Sequence, residues 1–202
     1  MGKKGNPVTS RDNDQLGALE QLARQAKHEK RPPLGSWSSG VARDFPLRIS
    51  RDGRWHYLGS PIERASLVKL LSRVMVREGD EFFLVSPEEK LRIEIEDAPF
   101  LVVEMEQIGT GELQKLVFRT NVDDVVIAGV DHKIWVNENP DTQEPSPYIE
   151  IRDGLDALIN RAVFYDLAEL AIRTCGSPNK DLCGVMSDGY FFNLAESGDD
   201  QA

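Results

Sequence analysis

The stretch RIEIEDAPF at residues 92–100 has a counterpart further along the chain, YIEIRDGLD at residues 148–156. Both stretches contain Ile-Glu-Ile, one charged residue, an aspartate and then a small residue. The isoleucines alternate with charged residues, which is typical of a β-strand that buries one face. The repeated pattern indicates that one supersecondary unit occurs twice, and that the fold consists of two related, β-rich halves.

Two turn sequences support the duplication. The segments DGRWHYL at residues 52–58 and DGYFFNL at residues 188–194 both begin with Asp-Gly, carry an aromatic residue and end in leucine. Asp-Gly is a preferred pair in the two-residue turn of a β-hairpin, so a hairpin is expected at each place. Because such turns are common, two similar hairpins that arose independently remain an open alternative.

A first helix is predicted directly after the hairpin at Asp52-Gly53. Ser60 is a suitable N-cap, Pro61 suits the first helical position, and Glu63 stands where a capping box needs it. This helix would bury its leucines on one side and end near Gly79.

Strands are predicted between about residues 80 and 151, with hairpins closed by GTGE at residues 109–112 and by VDH at residues 130–132. Asp153 is the expected N-cap of a second helix, whose apolar side runs from Leu155 to Leu170. The predicted fold class is therefore α+β, with duplicated β-rich halves and one long helix in each half.

Three segments follow from this organisation. Residues 1–33 are predicted to be a flexible tail with a short amphipathic helix that begins near Asp14. Residues 34–98 are the expected N-terminal α+β half, and residues 99–197 are the expected C-terminal half.

Composition excludes several classes of partner. The net charge of -10 over 202 residues disfavours binding to nucleic acid or to anionic membranes, since both are polyanions. No apolar run is long enough for a membrane span, and no apolar segment follows the N-terminal lysines as in a signal peptide, so a cytoplasmic location is expected. Cys175 and Cys183 are interpreted as reduced thiols, because disulfides are rare in that compartment.

Several segments of the chain resemble a bacterial family known as domain of unknown function 1285 (DUF1285). The likeness extends over roughly residues 32–195, and its most specific pieces are EDAPF at residues 96–100, RTN at residues 119–121 and the Arg152-x-Gly154-Leu155 pattern. The resemblance implies a duplicated α+β arrangement whose C-terminal half is similar to a pleckstrin-homology-like barrel closed by a helix. It also implies a ligand binder in bacterial signalling, with a nucleotide-like ligand at the junction of the halves. No catalytic residues are established for the family, so the resemblance assigns none to this chain.

No sequence motif points to a reaction. The Gly-rich segment at residues 109–111 lacks the lysine of a phosphate loop, and the three histidines are widely spaced. The cysteines and histidines show no nucleophile arrangement, and no pair of carboxylates stands out as acid and base. We therefore expect no enzyme, no cofactor and no metal site.

A set of cations and aromatic residues supplies the candidate ligand-binding site. Guanidinium groups near helix starts could hold phosphate through bidentate hydrogen bonds, and aromatic rings could stack on a base. The alternative is that the arginines pair with Asp97, Asp153 and Glu94 and fix the two halves together. The candidates are Trp37, Trp55, Tyr57, Arg64, Lys90, Arg119, Asn121, Arg152 and Arg161.

Two functions of different class are consistent with these features. The first is a non-enzymatic signalling protein that binds a nucleotide-like or phosphorylated small molecule between its halves. The second is a protein-interaction module, in which a peptide or partner protein binds the β-barrel of the C-terminal half.

Overall fold

The computed structural model describes residues 34–37, 41–138, 144–175 and 183–194. The amphipathic helix predicted near Asp14 lies outside these residues. Most of the described chain is β-structure, and the strands are β1 Ala42–Ile49, β2 Trp55–Tyr57, β3 Ser60–Pro61, β4 Met75–Glu78, β5 Glu81–Val85, β6 Lys90–Ile95, β7 Phe100–Ile108, β8 Lys115–Thr120, β9 Val125–Ile127, β10 Ile134–Glu138, β11 Pro145–Arg152, β12 Leu155–Ile159, β13 Gly184–Ser187 and β14 Tyr190–Asn193. The helices are α1 Leu34–Trp37, α2 Ala65–Ser72 and α3 Arg161–Cys175, with a 3-10 turn at Gly111–Leu113.

Two six-stranded sheets have the same strand order. The first sheet runs β3-β2-β1-β6-β5-β4, and the second runs β9-β8-β7-β12-β11-β10. Each sheet contains two antiparallel three-stranded meanders. In both, the first strand of one meander lies beside the last strand of the other, β1 beside β6 and β7 beside β12. The architecture is therefore α+β, mostly β, and the repeated order is consistent with duplicated halves.

The hairpins at both Asp-Gly turns are confirmed. Strands β1 and β2 pair around Asp52-Gly53, and β13 pairs with β14 around Asp188-Gly189. Gly53 and Gly189 have φ angles of 77° and 81°, in the left-handed region that glycine enters at little cost.

The predicted capping box of the first helix is wrong. Ser60 and Pro61 form strand β3, because the left-handed turn at Leu58 and Gly59 returns the chain onto β2. Proline is tolerated there because β3 is an edge strand. The helix begins only at Ala65 and has eight residues. It ends before β4, which pairs with β5 around a tight turn at Gly79.

The predicted start of the second helix is also wrong. Asp153 and Gly154, with φ angles of 45° and 72°, form the turn between β11 and β12. Strand β12 lies between β11 and β7, and the successive residues Ala157, Leu158 and Ile159 are all buried, so both faces of the strand are covered. A short apolar run at such a place has no clear period, and its spacing also fits a helix. Helix α3 begins at Arg161 instead.

The turn predicted at residues 130–132 (VDH) is present, but the strands on either side of it do not pair with each other. The backbone groups of Gly129 and His132 form two hydrogen bonds, of 3.1 and 3.3 Å, which close the turn. However, β9 pairs with β8 and β10 pairs with β11, so these two strands stand at opposite ends of the sheet order. The turn residues alone could not show this, because pairing depends on distant strands.

Two compact units make up the chain. The first contains residues 1–46 and 62–93, and the second contains residues 47–61 and 94–202. The hairpin β1–β2 thus contributes buried residues to the second unit, among them Ile49 and Trp55 at 0% and 2% exposure. None of the helices in the described chain is long and apolar enough to cross a membrane.

Candidate functional site

The second unit contains a pocket of about 540 Å³. Its lining comes from the β1–β2 turn, the start of β11, the end of β12 and the first turns of α3. The apolar lining residues are Leu101, Pro145, Pro147, Leu158, Ile159 and Phe164. The polar and charged ones are Arg51, Asp52, Glu144, Ser146, Asn160, Arg161 and Tyr165.

Local chemistry at the β12–α3 junction sets one wall of the pocket. The backbone N–H of Asn160 donates to Val102 O at 3.2 Å, which holds the end of β12 against β7. The Asn160 side-chain oxygen accepts the backbone N–H of Val163 at 2.8 Å and so caps α3. This cap places the adjacent Arg161 and Phe164 at the pocket.

Asn121 positions the opposite wall. Its Nδ2 donates to Gly53 O at 3.0 Å, and its Oδ1 accepts the backbone N–H of Leu101 at 3.1 Å. The side chain therefore joins the β1–β2 turn to β7. A Cβ on Gly53 would lie 2.8 Å from Asn121 Nδ2, so only glycine allows this close approach. Asn121 does not line the pocket but supports the turn that carries Arg51 and Asp52.

Arg51 is neutralised by the protein. Its Nη1 lies 3.0 Å from Asp97 Oδ2, and its Nη2 donates to Ser146 Oγ at 2.8 Å. Asp97 also accepts a hydrogen bond from the Tyr148 hydroxyl at 2.7 Å. Burial and this hydrogen bond raise the pKa of Tyr148 to about 12. Arg51 thus ties the turn to β11, and part of its charge is offset by Asp97.

Arg161 is in a different situation. Its Nε donates to the Tyr165 hydroxyl at 2.7 Å, and its guanidinium carbon lies 5.4 Å from the centre of that ring. Within the described chain no carboxylate forms an ion pair with it. The hydrogen bond to Tyr165 and, as a smaller cause, the charge of Glu144 raise the pKa of Arg161. The guanidinium is held in place by an aromatic neighbour while its charge is not directly neutralised.

The pocket rim also carries negative charge. Asp52 and Glu144 are both exposed lining residues. The hydroxyl of Ser50 donates to Asp52 at 2.5 Å and lowers the pKa of that carboxyl group. The lining therefore contains two arginines and two carboxylates, with Arg51 already paired to Asp97 and Asp52 paired to Arg54 at 3.2 Å.

Three further candidate cations are paired away from the pocket. Arg152 contacts Asp124 at 2.6 Å and lies over the Phe100 ring at 5.1 Å. Arg119 pairs with Glu104, and this hydrogen bond raises its pKa. Lys90 pairs with Glu78 and is buried over the Phe83 ring. Each has an acidic partner, although none of these partners is Asp97, Asp153 or Glu94.

The aromatic candidates and Arg64 are also absent from the pocket lining. Trp55 is 2% exposed and belongs to the core, and its indole N–H has no hydrogen-bond partner among the described residues. Trp37 and Tyr57 are half-buried. Arg64 precedes α2, and its backbone carbonyl accepts the N–H groups of Leu67 and Val68. Of the nine candidates, the pocket contains Arg161.

Sequence reasoning missed several pocket residues, and for some of them a signal existed. Asn160 is a favoured N-cap residue directly before an amphipathic segment, which would have placed the start of α3 correctly. Arg51 directly precedes the Asp52-Gly53 turn. Phe164 and the two prolines had no signal, because only the tertiary structure brings β11 and α3 to one cavity.

The pocket lining is mainly apolar, with a few charged groups. Among the residues that the structure describes, no group of three or more His, Cys, Asp or Glu side chains could hold a metal ion. The lining residues combine an apolar floor with a few charged groups, which is the usual composition of a small-molecule site.

Two family models match adjacent parts of the chain. The model described as domain of unknown function (DUF1285), N-terminal domain, matches residues 32–98. The model described as protein of unknown function (DUF1285), C-terminal domain, matches residues 99–194. The chain belongs to the DUF1285 family. Arg51 and Asp52 fall in the part matched by the N-terminal DUF1285 model, and the other lining residues fall in the C-terminal part.

Solved DUF1285 structures resemble this chain. A crystal structure of a DUF1285 family protein from Silicibacter pomeroyi DSS-3 is 40% identical, with a TM-score of 0.78, and the match covers 87% of this chain and 93% of that one. Another, from Shewanella baltica OS155, is 28% identical with a TM-score of 0.49, covering 61% of this chain and 91% of that one. No curated protein matches the chain.

Proposed function

We propose that this protein is a non-enzymatic binding protein for a small ligand with an anionic group, held in the pocket at the start of α3. The observation that carries the proposal is Arg161, which lines a cavity of about 540 Å³ without an ion pair to any described carboxylate. Nearby, the apolar residues Leu158, Ile159 and Phe164 offer surface to the rest of the ligand. A role in signalling would follow if binding altered the surface presented to a partner.

The proposal includes a pleckstrin-homology-like character for the C-terminal half. Two meanders of three strands, β7 to β12, are followed directly by α3, which packs against β7 and β13. A strand barrel closed by a C-terminal helix would have this order of elements. The ligand panel therefore includes nucleotide-like and phosphorylated small molecules together with simple organic acids.

A thermal-shift panel tests the proposal. A ligand at a hundred times its Kd stabilises a protein by about 2.7 kcal/mol, so a rise of several degrees in Tm is expected for the wild type. The rise should shrink in Arg161→Ala. It should persist in the matched control Arg173→Ala, which removes an exposed arginine from the same helix that pairs with Glu169. A panel in which no anionic compound raises Tm would remove the proposal.

A second function is favoured by the edge of the second sheet. Strand β9 is terminal in the strand order, and its side chains Val125 and Ile127 are 60% and 39% exposed. An exposed strand edge can pair with an extended peptide, with apolar side chains giving specificity. Val125→Lys should abolish the binding of such a peptide to β9. The Tm shifts caused by ligands of the pocket should stay unchanged. Unchanged capture by this variant would exclude the edge.

A further inference from the structure

Resting on the proposed function, we infer that the ligand is a singly charged carboxylic acid with an alkyl or aryl body, rather than a nucleotide or other polyphosphate. Three features of the pocket support this narrower ligand class. They are the distribution of charge at the rim, the lack of backbone donors in one wall, and the apolar floor.

The charged residues at the pocket rim favour a ligand with one negative group and disfavour a ligand with more. Arg161 is the pocket cation without an ion pair among the described residues, whereas Arg51 is paired with Asp97 at 3.0 Å. Asp52, which pairs with Arg54 at 3.2 Å, and Glu144 add two carboxylates to the same lining. A polyphosphate would bring several negative charges close to these carboxylates with one guanidinium to offset them, and like charges at such distances repel. A ligand with a single carboxylate brings one negative charge, which the guanidinium of Arg161 can balance.

The β11 wall lacks the donors that phosphate sites use. Phosphate loops bind through successive backbone N–H groups of glycine-rich turns. In this pocket the start of β11 contributes Pro145 and Pro147, and proline has no N–H to donate. No glycine occurs among the lining residues. This wall therefore offers ring surface, which suits an apolar ligand body.

The apolar residues at the floor of the pocket determine how affinity should depend on the size of the ligand. Leu158 and Ile159 are 8% and 2% exposed, and Phe164 is half-buried beside them. Each methylene moved from water into such a site should strengthen binding by roughly four-fold. This increase should continue until the body of the ligand fills the cavity.

Calorimetric titration with a ligand series tests the inference. The probes are straight-chain alkanoates from butanoate to decanoate, phenylalkanoates of matching length, octanoate methyl ester, and AMP, ATP and GDP. We expect affinity to rise with alkanoate length, the neutral ester to bind at least ten-fold more weakly than octanoate, and nucleotides to bind weakest. Arg161→Ala should lose at least ten-fold for octanoate, while Arg173→Ala keeps the wild-type affinity.

A charge variant gives an independent readout. Glu144→Gln removes one carboxylate from an exposed position at the pocket rim and keeps the size and shape of the side chain. It should improve binding of ATP by several-fold and change octanoate binding less.

The possible results separate the two claims. If nucleotides bind more tightly than alkanoates and depend on Arg161, the carboxylate inference fails and the proposed function stands. Affinity that ignores chain length or the ester also overturns the inference. If neither class binds, both claims fail.

Discussion

Asn121 joins two backbone segments, through one hydrogen bond donated to Gly53, 68 positions away from it, and one accepted from Leu101. Both bonds are part-buried, so neither backbone group can readily find water instead. The side chain thereby holds the turn that carries Arg51 and Asp52 at the pocket. A single amide thus determines the geometry of one wall.

Replacing Asn121 by alanine should therefore destabilise the protein. We expect the free energy of unfolding to fall by about 1–3 kcal/mol, since two part-buried backbone groups lose their partners. Asn137→Ala is the control, because Asn137 is exposed on β10, and it should change stability by no more than about 0.5 kcal/mol. Urea unfolding of both variants is the measurement, and equal losses would contradict the role assigned to Asn121.

Gly53 and Gly59 form a matched pair of turn glycines. Their φ angles are 77° and 80°, so alanine meets similar backbone strain at both positions, about 1–2 kcal/mol. A Cβ at Gly53 would also lie 2.8 Å from Asn121, whereas at Gly59 it meets nothing within 4 Å. Urea unfolding should therefore show a larger loss for Gly53→Ala than for Gly59→Ala. A larger loss at Gly59 would refute the close approach at Gly53.

The raised pKa of Tyr148 leads us to expect that the stability of the protein depends on pH. Burial and the hydrogen bond to Asp97 raise its pKa to about 12, above the ordinary value of 10.0. Because the folded-state pKa lies above the unfolded one, the group's contribution to stability is complete below pH 10 and is lost as pH rises towards 12. Wild-type protein should lose more unfolding free energy than Tyr148→Phe over this interval. The difference should stay well below about 2.7 kcal/mol, since the half-buried ring is partly screened by solvent.

At the scale of elements, the junction of β12 and α3 decides the pocket. After the Asp153-Gly154 turn, Leu155–Ile159 forms a strand between β11 and β7. The helix therefore begins only at Arg161. Asn160 then closes the strand and caps the helix within one residue. This arrangement brings Ile159, Asn160 and Arg161 to the same cavity.

Loss of the cap should weaken the helix measurably. Asn160→Ala removes the acceptor for the Val163 N–H and should cost about 1 kcal/mol, with part of the loss restored in Asn160→Asp, which keeps an acceptor oxygen. Urea unfolding with circular dichroism gives both values. If alanine and aspartate have the same effect, the cap contributes nothing to stability.

At the scale of the molecule, the compact units do not follow the boundary between the family models. The N-terminal model ends at residue 98, yet residues 47–61 belong to the second unit together with residues 94–202. Arg51 and Gly53 contact Ser146 and Asn121, which lie in the part matched by the C-terminal model. The β1–β2 hairpin is therefore integral to the second unit.

Hydrogen exchange should reveal this division. Amides of the β1–β2 hairpin, for example Leu47 and Tyr57, should share the protection of β7 and β12 under increasing denaturant, because contacts within one unit open together. Strands β4 and β5 of the first unit are the comparison. If the amides of the hairpin exchange together with those of β4 and β5, and separately from those of β7, the hairpin does not belong to the second unit.

Local chemistry in the sequence determined much of the fold. Alternating residues and Asp-Gly turns predicted the strands and both confirmed hairpins, since a hairpin is a local structure whose turn dictates its pairing. The repeated Ile-Glu-Ile pattern predicted two related halves, and the equal strand orders agree with them. Family membership could likewise be read from residues 96–100 and 119–121.

Only the tertiary structure decided where strands give way to helices and where the pocket lies. Leu155, Leu158 and Ile159 fit helical spacing, and their strand state follows from pairing with the preceding strand β11 and with β7, which is distant in sequence. Likewise, a list of arginines cannot show which ones are neutralised. Arg152 meets Asp124, 28 positions earlier in the chain, whereas Arg161 meets Tyr165 in its own helix, at a cavity that distant strands also line.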